Sequence, residues 1–446
     1  MVSRAQLIDA FRTAGFELWL VGGTLRDRLL HVDSKDQDYA TNADPDAVEA
    51  LVRGLGAGVT TVGKRFGTIG ALVEGEWSEI TTFRGDSYEG GSRWPDVTFG
   101  ATIHEDLARR DFTINALAED TCSGELLDPF GGVRDVAGRV IRAVGEPALR
   151  FREDPLRILR GIRFASQLGF EIEAGTFAGM KATAPLLGSL SQERITTELD
   201  KLLRGAQPRA GLEALRETGA LEVVLPELAS MVGCEQNRFH KFDVWGHTVA
   251  TVEAIATTPE SLRLRRWGAL LHDLGKPAVR HVKANGEWGF YRHETVGAEL
   301  ATALLERLRV SRQDLHAITH LVRRHMDRPD VDDARSVRRY MSKAAGYWRD
   351  QVALKRADNA SHTYDDDEYH DRLWEACERI EREEADRLRA ESPLSGDDLV
   401  ALFDRPPGPW IRAVKERLSA LVLDGELAPG DREAAERVAR QVMRGK

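Results

Sequence analysis

The sequence predicts an α+β protein, mostly helical overall: an α/β head followed by all-α regions. Three observations lead there. Residues 1–140 mix helical runs with short strand-like runs such as TIGALVEG and WSEITTF, bounded by glycines. After DPFGGVRDV the strand-like runs stop. From about residue 150 onward apolar residues recur at helical spacing, punctuated by Gly and Pro. A chain of 446 residues suits roughly two to four domains. Soft boundaries near Gly138, Met231 and Asp371 divide it into 1–138, 139–230, 231–370 and 371–446.

The first element, MVSRAQLIDAFRTAG, is an amphipathic helix without the apolar core and cleavage site of a signal peptide. No run of about 18 apolar residues occurs, so no membrane span is expected. Cys122, Cys234 and Cys377 are scattered with no C-x-x-C pair, which points to a reduced, cytoplasmic setting and away from zinc ribbons and disulfides. The net charge of −10 argues against nucleic acid only globally. Between Arg139 and Arg163 arginines outnumber acids about two to one, which leaves room for a local basic track for RNA phosphates.

The next elements are a strand, FELWLVGG, and a helix, TLRDRLL. Gly22 and Gly23 at the junction let backbone approach a phosphate, and Arg26 sits one turn into the helix. Neither common phosphate-loop motif is present, and a Gly pair also serves as a plain turn. Asp36 and Asp38 follow. On a strand, alternate side chains share one face, and two carboxylates so placed repel unless a divalent cation sits between them. Nucleotidyl transfer needs such a pair for Mg²⁺; an acidic solvated turn is the competing reading. Glu79 in WSEITTF is either a third carboxylate of this set or an exposed strand residue.

Taken together, GGTLRD at 22–27, DQD at 36–38 and RRDFTINAL at 109–117 resemble the class II tRNA nucleotidyltransferases, which include CCA-adding enzymes and bacterial poly(A) polymerases. DPFGG at 128–132, EDPLRILRGIRFASQLGF at 153–170 and ERITTEL at 193–199 follow in the family's order. The resemblance implies a polymerase-β-like nucleotidyltransferase head with a five-stranded sheet, then a helical neck, body and tail. It implies that Asp36 and Asp38 are catalytic and hold Mg²⁺, and that Gly22, Gly23 and Arg26 meet the nucleotide's phosphates. Arg110 would contact the nucleotide, Asp111 and Asn115 would give ribose contacts or support, and Asp128 with Gly131 and Gly132 would match the head–neck hinge. The Gly-rich stretch FRGDSYEGGSRWPDVTFG, with Arg84 and Arg93, looks intact where CC-adding relatives are shortened, which favours CCA or A addition.

The neck motif carries its own chemistry. Wound as a helix over 154–166, it gathers Pro155, Ile158, Leu159, Ile162 and Ala165 on one face. Asp154, Arg157, Arg160 and Arg163 sweep the other side, drifting about 60° per step of three. A solvated basic face is one reading. The other is base recognition: Asp only accepts hydrogen bonds and Arg only donates them. Cytosine and adenine each present an amine donor beside a ring-nitrogen acceptor, which the Asp154/Arg157 pair matches. Guanine and uracil would set a carbonyl against the Asp154 carboxylate, a mismatch that discriminates strongly. Arg160 and Arg163 are then phosphate or scaffold contacts.

Farther on, LLHDLGKP at 270–277 places His272 beside Asp273 on an apolar helix, with His247 upstream and Asp358 downstream. This resembles the HD phosphohydrolase superfamily, whose metal is held by His, His-Asp and Asp. Such ligands suit a divalent transition metal, Mn, Ni, Co or Fe, or Mg. His293, Glu294 and His325 are candidates for extending the site. The run Asp371–Glu391 reads as a solvated helix face.

The expected function is template-independent addition of CCA to the tRNA 3′ end from CTP and ATP, releasing pyrophosphate, with HD phosphohydrolase activity as an accompaniment. The alternatives are an A-adding or CC-adding enzyme, a poly(A) polymerase, or a metal-dependent HD phosphohydrolase whose head only binds RNA.

Overall fold

The computed structural model describes residues 1–33, 37–87, 96–238, 240–256, 261–363, 366–389, 392–423, 426–428 and 430–444. The head is built on β1 (Leu18–Val21), β2 (Asp38–Thr41), β3 (Val59–Thr60), β4 (Thr68–Val73) and β5 (Glu76–Thr82). A separate ribbon, β6 (Arg84–Ser87) and β7 (Asp96–Phe99), precedes β8 (Ala118–Asp120) and β9 (Leu126–Leu127). The sheet order is β3-β4-β5-β2-β1-β8-β9, and within it only β2 and β5 run parallel. The five expected strands are therefore joined by two more, the two-residue β3 and β9 at the edges.

Strand alternation covers both faces. Leu18 and Leu20 of β1 pack with Tyr39, Ile69, Ala71 and Ile80 beneath Leu7, Phe11, Val48 and Val52 of the helices Arg4–Thr13 and Pro45–Gly54. Trp19 and Val21 face the other way, toward Ala40, Phe83, Ile103, Leu107 and Ala118. The flanking helices are capped from the sequence, by a Ser3/Gln6 capping box and by Asp44 ahead of Pro45.

At the end of the head Asp128 caps the helix Gly132–Ala137, its oxygens accepting from the Gly132 and Val133 amides at 2.6 and 3.0 Å. Gly131 takes the left-handed conformation at φ 75°, and Gly132 passes so close to the chain that a Cβ there would stand 2.2 Å from the Thr113 carbonyl oxygen. The neck then runs through the helices Pro147–Glu153, Leu156–Leu168, Ala174–Thr183, Gln192–Leu203 and Pro208–Glu217.

Here the structure departs from the expected helix over 154–166. The helix is Leu156–Leu168, and Asp154 stands before it in extended backbone, φ −141° and ψ 101°. The reason is Pro155, whose ring pushes the preceding residue out of the helical region. The arginine side of that helix is also not a solvated face: Arg157 and Arg163 are buried among the head and the helix Gln192–Leu203.

The chain divides into two compact units, 1–323 with 360–364, and 324–359 with 365–446. In the second, the helices Ala334–Ala344, Trp348–Asn359 and Asp367–Arg389 enclose Val337, Tyr340, Trp348, Val352, Leu373, Cys377 and Ile380. The helices Gly396–Phe403, Pro409–Leu423 and Arg432–Arg444 enclose Leu399, Val414, Leu418 and Ala435. The expected boundary near Asp371 thus falls inside a continuous helix. The expected solvated run there buries one face, because Leu373, Ala376, Cys377 and Ile380 recur at helical spacing. No helix of the described residues is long and apolar enough to cross a membrane.

Gly132→Ala is expected to destabilise the protein by about 2–4 kcal/mol, since the added methyl meets backbone rather than a movable side chain. Gly131→Ala is expected to cost about 1 kcal/mol, for conformation alone. Urea unfolding of the two variants beside the parent measures the difference.

Candidate active site and metal centre

Val21, the last residue of β1, is paired with Asp38, the first of β2, and Asp38 lies opposite Glu79 on β5. The Gly pair follows Val21 directly, so the glycines and Asp38 stand where β1 ends and β2 begins, with Glu79 across from Asp38 in the middle of β5. Both carboxylates are exposed. Asp36 lies outside the described residues, as do 88–95 of the Gly-rich loop, Arg93 included; Arg84 donates to the Phe66 carbonyl.

Gly22 adopts φ 76° and ψ −136°, open to glycine alone. A Cβ on Gly22 would stand 3.1 Å from Arg110 Nη1, and one on Gly23 would stand 3.3 Å from Arg26 Nη2. Two guanidinium groups therefore lie against bare backbone, an arrangement suited to a polyphosphate. Each is held from behind. Arg26 donates to Asp27 Oδ1 through Nε and Nη2 at 2.9 and 2.7 Å and to Asn115 Oδ1 through Nη1 at 2.7 Å. Arg110 donates to Asp106 Oδ2 at 3.1 Å and to the Asn115 carbonyl at 3.4 Å. Asp106, absent from the sequence reading, is buried. Burial pushes its pKa up, but Arg110 and Arg109 outweigh that and hold it below the ordinary Asp range.

Asp111 is buried and accepts from its own turn at Phe112 N (2.8 Å), from Asn115 Nδ2 (3.2 Å) and from Arg160 Nε (2.6 Å). Burial works against its charge, yet Arg160 and the Asn115 bond bring its pKa down to about 2. A continuous chain, Arg26–Asn115–Asp111–Arg160, thereby joins the first head motif to the third and to the neck. Asp111 spends its oxygens on Phe112 N, Asn115 and Arg160. Arg163 is ion-paired with Glu198, Nε to Oε2 2.7 Å. Arg163, Arg26 and Arg160 stand 4.1, 5.3 and 5.9 Å from the centre of the buried Phe164 ring.

Arg157 donates from Nη1 to Glu153 Oε2 (3.0 Å) and from Nη2 to the Arg109 carbonyl (2.8 Å). Asp154 does not bond the Arg157 side chain. Its oxygens accept from Arg194 Nη2 at 3.2 and 3.0 Å, and Oδ1 also accepts from Leu156 N at 3.2 Å. Arg194 and Glu198 both come from ERITTEL, where only the resemblance singled out the motif and no residue roles were read.

In the HD region His247 lies on the helix Val244–Ala254, and His272 and Asp273 end the helix Leu262–Leu271. The three side chains are buried. His247 Nε2 and His272 Nε2 are 3.2 Å apart, and Asp273 Oδ2 is 3.3 and 3.2 Å from them. Ligand atoms at right angles on bonds of about 2.2 Å stand about 3.1 Å apart, so this triad fits an octahedral divalent ion. His272 Nδ1 faces the Ala269 carbonyl at 2.8 Å, which assigns its proton there and leaves Nε2 a lone pair for metal; His247 Nδ1 meets Ser361 Oγ. Lys276 Nζ is 2.6 Å from Asp273 Oδ2 and His293 Nε2 3.4 Å from Oδ1. Burial opposes charge on Asp273, but His272 and Lys276 hold its pKa well below the ordinary value. Burial pushes the His240 pKa down to about 3, with Lys276 adding to it. Asp358, expected as a fourth ligand, belongs to the helix Trp348–Asn359 of the second unit, as His325 does to that unit.

Three family models match the chain: the poly A polymerase head domain over residues 18–142, the probable RNA and SrmB-binding site of polymerase A over 169–232, and the HD domain over 244–363. The chain is 32% identical over 424 residues to the CCA-adding enzyme of Bacillus licheniformis, covering 95% of this chain and 94% of that one. It is 34% identical over 420 residues to the A-adding tRNA nucleotidyltransferase of Deinococcus radiodurans, 92% of each. The crystal structure of the Bacillus stearothermophilus CCA-adding enzyme in complex with CTP superposes with a TM-score of 0.66 at 28% identity, over 98% of this chain and 96% of that one.

Because the folded protein holds Asp111 at about 2 against an ordinary 3.8, its ionised form stabilises the fold above the ordinary Asp range, and that contribution is lost as pH falls toward 2. Asp111→Asn is expected to lose about 2 kcal/mol at pH 7, with the difference from the parent closing between about pH 4 and pH 2. Unfolding curves across that range test it.

Proposed function

The chain belongs to the family of CCA-adding tRNA nucleotidyltransferases, enzymes that extend the 3′ end of tRNA, and from that premise we propose that it builds the complete CCA end from CTP and ATP. The terminal 3′-hydroxyl oxygen attacks the α-phosphorus of the incoming nucleotide. Its proton is lost, the bond to the β-phosphate oxygen breaks, and pyrophosphate leaves. Asp36 and Asp38 are the residues that would hold Mg²⁺, which when bound neutralises the triphosphate and eases loss of the hydroxyl proton. Gly22, Gly23, Arg26 and Arg110 hold the phosphates. Asp111 and Arg160 keep the two halves of the site in register.

The observation that carries this reading is the meeting of the Gly pair, with Arg26 and Arg110 against it, and Asp38 at one sheet end. The choice of nucleotide is assigned to Asp154, an acceptor, and Arg157, a donor. Three of Arg157's five N–H donors are taken by Glu153 and the Arg150 and Arg109 carbonyls, which fixes its plane and supports a constant donor edge. A pocket that reads the shared amine-plus-nitrogen edge accepts both C and A, as CCA addition requires.

A second activity rests on the His247/His272/Asp273 triad, whose spacing suits a divalent transition metal such as Mn, Ni, Co or Fe. We assign it phosphohydrolase chemistry on phosphate esters, with Lys276 holding the Asp273 carboxylate.

Incubated with tRNA transcripts ending before the first C, at CC and at CCA, with each labelled nucleotide and Mg²⁺, the protein is expected to complete the first two and leave the third unchanged. Incorporation of A alone, or tails of A without limit, overturns the CCA reading. Asp38→Ala is expected to lower incorporation at least about 10³-fold while retaining metal at the HD centre. Asp273→Ala is expected to reverse that pattern, read by metal content and phosphatase assay; joint loss of both activities in either variant refutes the two-site assignment.

A further inference from the structure

We infer that Arg194 is a positioning residue for nucleotide choice, aiming the Asp154 carboxylate. This rests on the assignment of Asp154 and Arg157 to base selection. The two members of that pair are held in unlike ways. Arg157 sits inside its helix with its side chain buried, its guanidinium bonded to Glu153 and to the carbonyls of Arg150 and Arg109. Asp154 has no helix to hold it. It stands at the break between Pro147–Glu153 and Leu156–Leu168, in extended backbone forced by Pro155. Its carboxylate is tied down by Leu156 N at Oδ1 and by Arg194, whose Nη2 lies 3.2 and 3.0 Å from the two oxygens.

Arg194 has a rigid platform from which to do this. It lies in the first turn of the helix Gln192–Leu203. That helix is anchored along its length: Thr196 Oγ1 donates to the Leu308 carbonyl at 2.7 Å, Glu198 pairs with Arg163, Asp200 accepts from Trp267 Nε1 at 2.6 Å, and Arg266 donates to the Leu203 carbonyl at 2.6 Å. Between half-exposed groups such a bridge contributes little to stability. Its consequence is directional. A carboxylate has about four lone-pair sites; with Arg194 and Leu156 N occupying some, those left are aimed in a fixed direction for a base amine. Without Arg194 the carboxylate can turn, and the penalty against a carbonyl at that place relaxes.

The test is the ratio of CTP and ATP incorporation to UTP and GTP incorporation, as kcat/KM, for Arg194→Ala, Arg194→Lys, Asp154→Ala and the double variant Asp154→Ala/Arg194→Ala. Arg194→Ala is expected to lower the ratio at least about tenfold, Arg194→Lys to recover part of it, and the double variant to match Asp154→Ala alone. An unchanged ratio in Arg194→Ala, or equal KM increases for all four nucleotides, overturns the inference. If Asp154→Ala itself leaves the ratio unchanged, the base-selection assignment fails instead. Should Arg194→Ala not fold, Arg194→Gln removes the charge and shortens the side chain while keeping a polar group, and is expected to lower the ratio likewise; an unchanged ratio in Arg194→Gln overturns the inference.

Discussion

The ion pair between the buried Asp111 and the half-exposed Arg160 is the constraint on which the head–neck site depends. A carboxylate taken out of water is costly unless its lone pairs are filled and a cation stands beside it. Asp111 meets that demand with Phe112 N, Asn115 and Arg160. In doing so it fixes Asn115, whose oxygen holds Arg26 against Gly23. Three stretches distant in sequence are thereby locked together, and Phe164 fills the space among their guanidinium groups.

The helix Gln192–Leu203 extends the same logic toward the HD region. Its N-terminal turn holds Asp154, its middle holds Arg163, and its C-terminal half holds Trp267 and Arg263. The helix that carries Trp267 runs straight to His272 and Asp273. The two candidate chemistries therefore share a frame although their residues do not mix. Buried arginines supply much of that frame. Arg266 is one, donating to the Leu203 and Gly205 carbonyls at 2.6 Å and closing the helix end.

Much of the head was legible because its signals are local. The alternation of Leu18, Trp19, Leu20 and Val21 announces a strand covered on both faces, and GG before TLRD announces a turn into a helix. The HD triad was legible for another reason: few chemistries ask for His-Asp on an apolar helix with a His upstream. The neck was read less well. Periodicity put Asp154 at the start of a helix, while Pro155, present in the same window, carried the local rule that removes it. The boundary expected near Asp371 falls inside the helix Asp367–Arg389, whose apolar stripe of Leu373, Ala376, Cys377 and Ile380 is thinly spread among charges and gains its partners only in the packed core.

By itself the sequence determined the residue types of each site, the order of the motifs and the strand and helix character of most elements, since these follow from side-chain chemistry and short-range periodicity. Only the tertiary structure decided which charges are buried and which partners hold them. Arg26, Arg157, Arg160, Arg163 and Arg194 look alike in the sequence. One lies against the Gly pair, one is bonded to Glu153 and two carbonyls in a buried socket, two are paired with Asp111 and Glu198, and one holds Asp154. The distinction turns on burial and on partners about 35 to 90 residues away, and a charge is stable in the interior only where such partners converge.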